Sequence, residues 1–196
     1  MASARTVYDY SRYWVVPITR AAVALAAGVA IALTSNHNSR FGLLVFGAYV
    51  LVAGLLVAIL SWRTLSDPVA RTLLIAQGAL GVLAGILALS LYTSGLGLFL
   101  YLVSVWAALT GFIELYCGLR ARSRGPASRD WLVVGAMTAA LALIFLLIPS
   151  DAVLAIGLFG AYTVVAGVYL GIGAFSLKWS AEHPNPAEQK IMGSES

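Results

Sequence analysis

The stretch Phe46-Gly47-Ala48-Tyr49-Val50-Leu51-Val52-Ala53-Gly54 returns later in the chain as Phe159-Gly160-Ala161-Tyr162-Thr163-Val164-Val165-Ala166-Gly167. Seven of the nine positions are identical, and each copy lies inside a long apolar run. A looser third copy ends at Thr110-Gly111, midway between the other two. The closing glycines at positions 54, 111 and 167 thus recur with a period of about 57 residues, which is typical of one repeated supersecondary unit. The sequence therefore predicts three copies of one unit.

The composition is that of an integral membrane protein. Hydrophobic residues make up 61% of the 196 residues and charged residues only 10%, too few for the surface of a soluble domain. Several apolar runs exceed the roughly 20 residues that cross a bilayer as a helix. The single cysteine, Cys117, excludes an internal disulfide. We expect an all-α polytopic membrane protein.

Turn and breaker residues divide the chain into six predicted spans. They cover about residues 15–34, 41–62, 69–91, 96–119, 130–148 and 152–177. The spans group into three helical-hairpin repeats, about 15–62, 69–119 and 130–177, within a transmembrane domain of residues 15–178. Residues 1–14 are rich in Tyr and Trp and predict an arm in the headgroup layer. Residues 179–196 are polar and predict a disordered tail.

The distribution of basic residues predicts the orientation in the membrane. With six spans, eleven of the twelve Lys and Arg residues fall on the side of the two termini, and only Arg40 falls on the other. Basic residues accumulate on the cytoplasmic side of membrane proteins. We expect a multi-pass protein of the bacterial inner membrane with both termini in the cytoplasm.

Small residues recur at matching places in the three repeats. An even number of spans per unit makes the repeats parallel, related by an axis along the membrane normal. The small residues share one face of each helix, where they permit the close backbone approach that holds helices together in lipid. A glycine-lined pore is the alternative, and helix packing is the favoured interpretation. The glycines are Gly28, Gly47, Gly54, Gly78, Gly85, Gly111, Gly135, Gly160 and Gly167.

Glu114 is the acidic residue that lies well inside a predicted span. Its repeat equivalents are Val57 and Leu170, so the common scaffold does not need a carboxylate here. An ionisable group inside a bilayer marks a functional site by default, such as a proton relay or an ion site. Arg20 lies at a similar depth, near enough to the membrane surface to snorkel. The sequence favours a charged pair of Glu114 with Arg20, with a functional carboxylate as the alternative.

The remaining candidates carry less chemistry. The loop with Arg120, Arg122, Arg124 and Arg129 would bind anionic lipid or an acidic partner, or serve only as topogenic charge. His37 and Asp151 are titratable groups on the non-cytoplasmic side. We find no nucleophile triad, metal-ligand set or phosphate-binding motif, and we therefore expect no enzymatic activity, metal, other cofactor or nucleic-acid partner.

The even helices FGAYVLVAGLLVAIL, LTGFIELYCGLRARS and FGAYTVVAGVYLGIGAFSLK, set in six spans and three repeats, resemble the HdeD-type acid-resistance membrane protein family. The resemblance covers roughly residues 15–178 and implies a bacterial inner-membrane protein connected with acid or stress tolerance. Our leading hypothesis is a non-enzymatic protein that acts through membrane assembly, as a homo-oligomer, or through partner binding. The alternatives are a small transporter or channel with Glu114 as its ion- or proton-coupling residue, and an accessory subunit of a larger membrane complex.

Overall fold

The computed structural model describes residues 15–64, 67–120 and 127–182, and the chain forms six long helices within these ranges. Each helix contains an apolar segment of 19 to 25 residues, which is long enough to cross a membrane. No strand occurs in the described ranges. The helices are α1 (Val15–Leu33), α2 (Ser39–Thr64), α3 (Pro68–Ser90), α4 (Leu96–Arg120), α5 (Ala127–Leu147) and α6 (Ala152–Glu182).

Two boundaries differ from the sequence-based expectation. Helix α6 continues to Glu182, into the segment 179–196 that was predicted as a disordered tail. The first helix-breaking residue is Pro184, which disfavours a helical conformation at the residue before it. Helix α5 begins at Ala127, so Arg129 belongs to a helix and the predicted basic loop is shorter. The predicted arm 1–14 and residues 183–196 lie outside the described ranges.

Short polar residues begin three of the helices. The Asn38 carboxamide oxygen accepts a hydrogen bond from the Phe41 amide at 2.8 Å, at the start of α2. Asp67 accepts from the Val69 amide at 3.0 Å and is followed by Pro68 at the first helical position of α3. Asp151 accepts from the Leu154 amide at 2.8 Å before α6. These side chains satisfy amides that have no partner within the helix.

Large apolar side chains remain exposed on every helix. A soluble protein of this size rarely leaves so much apolar surface in contact with water, whereas lipid would cover it at no cost. All six helices therefore have the length and the surface of membrane spans. Examples, one from each helix, are Leu33, Leu55, Leu83, Phe112, Leu146 and Ile172.

The closest packing joins α2 to α3, α4 to α5 and α6 to α1, so it links each sequence repeat to the next rather than the two helices of one repeat. A Cβ added at Gly54 would lie 2.6 Å from the Gly78 carbonyl oxygen, and one at Gly111 would lie 2.7 Å from the Ala139 amide nitrogen. Such backbone proximity is open only to residues without a side chain. All nine repeat glycines singled out in the sequence lie at these three contacts: Gly28, Gly47, Gly54, Gly78, Gly85, Gly111, Gly135, Gly160 and Gly167.

The two ends of the bundle are packed differently. We call the end with the connections at 34–38, 91–95 and 148–151 the short-turn end, and the opposite end the termini end. Towards the short-turn end Phe46, Phe99 and Phe159 are fully buried and meet pairwise edge to face, with ring centroids 5.6 to 6.2 Å apart. This aromatic cluster fills the interior and leaves the polar interior groups in the termini half.

Candidate functional site

Glu114 is the centre of a buried polar cluster between three helices. It lies on α4 and is 1% exposed. An Arg20 guanidinium nitrogen, from α1, donates to Glu114 Oε1 at 2.5 Å, and Gln77 Nε2, from α3, donates to the same oxygen at 2.8 Å. Both are charge-assisted hydrogen bonds to an ionised carboxylate, which are stronger than those between neutral groups. The structure thus brings Arg20 and Glu114 together as an interior ion pair.

Arg20 turns inward rather than towards the membrane surface. Its side chain is 17% exposed, although it stands in the second turn of α1. From this position the side chain was also within reach of the headgroups, as the sequence suggested. The carboxylate of Glu114, about 9 Å of helix from Arg120, holds it in the interior instead.

Two acceptor atoms in this cluster have no hydrogen-bond partner. They are Glu114 Oε2 and Gln77 Oε1. In the part of the chain that the structure describes, every other buried side-chain nitrogen or oxygen atom has a hydrogen-bond partner. Buried acceptors without donors cost about 1–3 kcal/mol each. Their occurrence side by side in one cluster marks it as a site rather than as ordinary packing.

A cavity of about 30 Å³ adjoins the cluster, and all six helices line it. Its wall contains four sets of residues that occupy equivalent positions in the three repeats. Three of the sets contain a polar group in repeat one or two and an apolar residue in repeat three. The four sets are Arg20/Gln77/Val134, Val57/Glu114/Leu170, Ala53/Thr110/Ala166 and Tyr49/Trp106/Tyr162.

The aromatic set separates the cavity from the short-turn end. Trp106 lies about two turns before Glu114 on α4, and its ring meets those of Tyr49 and Phe46 edge to face at 6.0 and 5.7 Å. The Tyr162 hydroxyl is hydrogen-bonded to Thr138 Oγ1 at 2.8 Å. The cavity therefore ends against these rings on the side of the short-turn end.

The predicted basic loop is divided by the structure. Arg120 ends α4 and its Nε lies 3.8 Å from Asp67 Oδ2, while Arg129 is exposed in the first turn of α5. Arg122 and Arg124 lie outside the described residues. Arg120 and Arg129 are at the termini end, away from the Glu114 carboxylate along their helices.

The two titratable residues predicted on the other side lie at the short-turn end and make local contacts. The His37 ring is 3.2 Å from the Ile31 carbonyl oxygen and edge to face with Phe41. Asp151 caps α6. Cys117, one turn after Glu114, is 1% exposed and packs with apolar neighbours. The structure brings none of these residues to Glu114 Oε1 or Oε2.

Sequence reasoning missed Gln77, the third member of the cluster. It stands directly before Gly78, and it is the repeat equivalent of Arg20. The repeat alignment of the neighbouring small residues therefore contained the signal, because it places Arg20 and Gln77 at one level of the bundle.

The cluster offers an ionisable carboxylate, a fixed cation and a small cavity. Among the described residues no three His, Cys, Asp or Glu side chains are grouped so that they could hold a metal ion. No protein-family model, curated protein or solved structure matches the chain. The chemistry that Glu114, Arg20 and Gln77 offer together is proton exchange and hydrogen bonding.

Proposed function

We propose that the chain is a multi-pass protein of the bacterial inner membrane, built from three parallel repeats around a pseudo-threefold axis along the membrane normal. The four repeat-equivalent sets in the cavity wall support this arrangement, because such an axis through the cavity would place the members of each set around one space. The three equivalent helix contacts α2/α3, α4/α5 and α6/α1 support it as well. The excess of basic residues at the termini end favours cytoplasmic termini.

Insertion and orientation are tested with single cysteines in a Cys117→Ala background. Ser94→Cys at the short-turn end should react with a membrane-impermeant maleimide in intact cells. Lys190→Cys should react only after the inner membrane is permeabilised. The reverse pattern would contradict the orientation, and labelling of both in intact cells would contradict the six-span topology.

The proposed activity is a non-enzymatic response to acid, with Glu114 as the group that is protonated. The single observation that carries it is the ion pair: the Arg20 guanidinium is held inside by the charge of one buried carboxylate. Protonation removes that charge, and an unpaired cation in a low-dielectric interior is unfavourable. Arg20 stands near enough to the end of α1 to move its guanidinium to the headgroups. The Arg20 side chain thus has two arrangements: in the interior while Glu114 is ionised, and at the headgroups when Glu114 is protonated.

The groups that face Glu114 allow this behaviour. The Arg20 cation comes from α1, and the uncharged Tyr49, Gln77 and Tyr162 come from α2, α3 and α6. Helix α5 contributes only Val134 and Thr138 at this level. No second carboxylate or cation of the described residues lines the cavity. The charge state of Glu114 therefore decides alone whether the cavity is neutral or positive.

The resemblance to the HdeD-type family, carried by the repeat motif, connects this response with acid or stress tolerance. The test is survival of an acid challenge by a bacterium that lacks the gene and carries the parent protein, Glu114→Gln or the control Asp151→Asn at equal membrane levels. We expect the parent and the control to protect, and Glu114→Gln, which cannot change charge, to differ from the parent by at least about tenfold in survivors. Equal survival with the parent and the empty vector would refute the acid role.

A second candidate function is a small transporter or channel in which Glu114 couples to a proton or an ion. The unpartnered Glu114 Oε2 beside a cavity favours it. The aromatic cluster at the short-turn end means that transport would need a second conformation. Proteoliposomes with the parent should then carry a proton or cation flux that Glu114→Gln abolishes, and a parent without flux would remove this candidate.

Partner binding and homo-oligomer formation stay predictions. The repeat glycines do not support an oligomer, because they are used in helix contacts within the chain.

A further inference from the structure

The Glu114 cluster contains two hydrogen-bond acceptors that need a donor. Glu114 is 1% exposed and Gln77 is 6% exposed, and both line the cavity. Among the described residues, Glu114 Oε2 and Gln77 Oε1 are the two buried side-chain polar atoms that have no hydrogen-bond partner. Three other polar side chains of the wall are engaged: Thr110 Oγ1 donates to the Trp106 carbonyl at 2.7 Å, and Thr138 pairs with Tyr162.

The chemistry of the pair fixes which atoms are left over. An ionised carboxylate only accepts hydrogen bonds, so Gln77 must present its NH₂ group to Glu114. The amide oxygen of Gln77 is then turned away from that bond. Arg20 and Gln77 both use Oε1, and Oε2 receives nothing from either. The cluster therefore offers two acceptors to which no side chain donates.

The size of the cavity limits the occupant. One water needs a cavity volume of about 10–15 Å³, so this cavity of about 30 Å³ accommodates about two waters. A sugar, an amino acid or a larger organic ion would not fit without a change of conformation. The occupant is therefore of the size of one or two water molecules.

Charge limits the occupant further. The carboxylate of Glu114 is already neutralised by Arg20, so a metal cation beside it would give the buried cluster a net positive charge. An uncompensated buried charge is far more costly than a buried neutral molecule. We infer that the cavity is a binding site for water-sized neutral hydrogen-bond donors, and that about two waters bridge Glu114 Oε2 and Gln77 Oε1.

Water binding at this cavity does not depend on a response of Glu114 to acid. The acid role is tested by survival of an acid challenge, and water binding is tested by a separate measurement on the protein in lipid.

The composition of the chain makes a direct test practical. It contains four glutamates, Glu114, Glu182, Glu188 and Glu195, and two glutamines, Gln77 and Gln189. Solid-state NMR of the full chain in lipid, with labelled Glu and Gln, gives few signals, and Glu114→Gln and Gln77→Val assign the two that matter. The measurement is transfer of proton magnetisation from water to the Glu114 carboxyl carbon and the Gln77 side-chain nitrogen.

We expect transfer to both groups in the parent protein. Ala53→Leu, which places a larger side chain into the cavity wall, should reduce it at least about threefold. Ala48→Leu, on the exposed face of the same helix, is the control and should leave the transfer unchanged. Absence of transfer in the parent would overturn the inference, whatever the behaviour of the variants. Equal transfer in the parent and in a folded Ala53→Leu protein would also overturn it.

A second arm distinguishes water from a cation. The Glu114 and Gln77 signals are compared in choline, sodium and potassium salts at equal ionic strength. We expect the same chemical shifts in all three. A saturable shift of the Glu114 signal with sodium or potassium would show a cation site and would overturn the neutral-donor assignment.

Discussion

Arg20 and Gln77 stand at the same position of two successive repeats, and both donate a hydrogen bond to Oε1 of Glu114. The third repeat has Val134 at this position, and it has Leu170 where the second has Glu114. One level of the bundle is therefore polar on two sides and apolar on the third. Because apolar residues fill the same positions in the third repeat, stability alone does not require the ion pair.

The ion pair gives the first prediction. Glu114→Leu leaves the Arg20 cation without its partner and should lower the free energy of unfolding by about 3–5 kcal/mol. The triple variant Arg20→Val, Gln77→Val and Glu114→Leu, which copies the third repeat, should be within about 1 kcal/mol of the parent or more stable. Unfolding in mixed detergent measures both. A triple variant as unstable as Glu114→Leu would mean that the scaffold itself depends on the polar cluster.

The backbone contact between α2 and α3 gives the second prediction. Gly54→Ala places a Cβ at 2.6 Å from the Gly78 carbonyl oxygen, so the two helices must separate, and we expect a loss of about 1–3 kcal/mol. Gly157→Ala is the control, because nothing lies within 4 Å of a Cβ there. That change should be neutral or stabilise the helix by up to about 1 kcal/mol. Equal melting temperatures for the two variants would show that this contact is not a tight one.

The aromatic cluster at the short-turn end gives the third prediction. Phe159 is fully buried against Phe46 and Phe99, and Phe159→Ala should cost about 3–5 kcal/mol through lost burial and a cavity. Phe112 is 69% exposed on α4, and Phe112→Ala should change stability by less than about 1 kcal/mol. Thermal unfolding in nanodiscs compares them. If both substitutions had the same effect, the cluster would not be the core of that half.

The sequence predicted the helices well because apolar length is a strong local signal. The six spans and the turns between them follow from residues that act on their own neighbourhood. Glu114 was found for the same reason, as a charge inside an apolar run. The partner Arg20 was ambiguous, because its distance from the helix end allows both an interior and a surface position.

What the sequence did not predict depends on how helices meet. Gln77 looks like an ordinary polar residue until its side chain and that of Arg20 are seen to meet at Glu114. The preference of α2 for α3 over α1 is also a tertiary property, set by backbone contacts such as that of Gly54 with Gly78. The end of α6 at Glu182 was missed because the change to polar residues was read as the end of the helix, although the breaker Pro184 comes later.

The central claim is that the charge of Glu114 holds the Arg20 side chain in the interior, and that this ion pair links α1 to α4. Its most direct test is a distance distribution by electron paramagnetic resonance between spin labels on two exposed positions, Ala22→Cys on α1 and Leu119→Cys on α4, in a Cys117→Ala background. The ionic attraction exists only while the carboxyl is ionised, so acidification should broaden or shift the distribution, and Glu114→Gln should show the acid distribution already at neutral pH. One unchanged distribution for the parent at both pH values and for Glu114→Gln would contradict the claim.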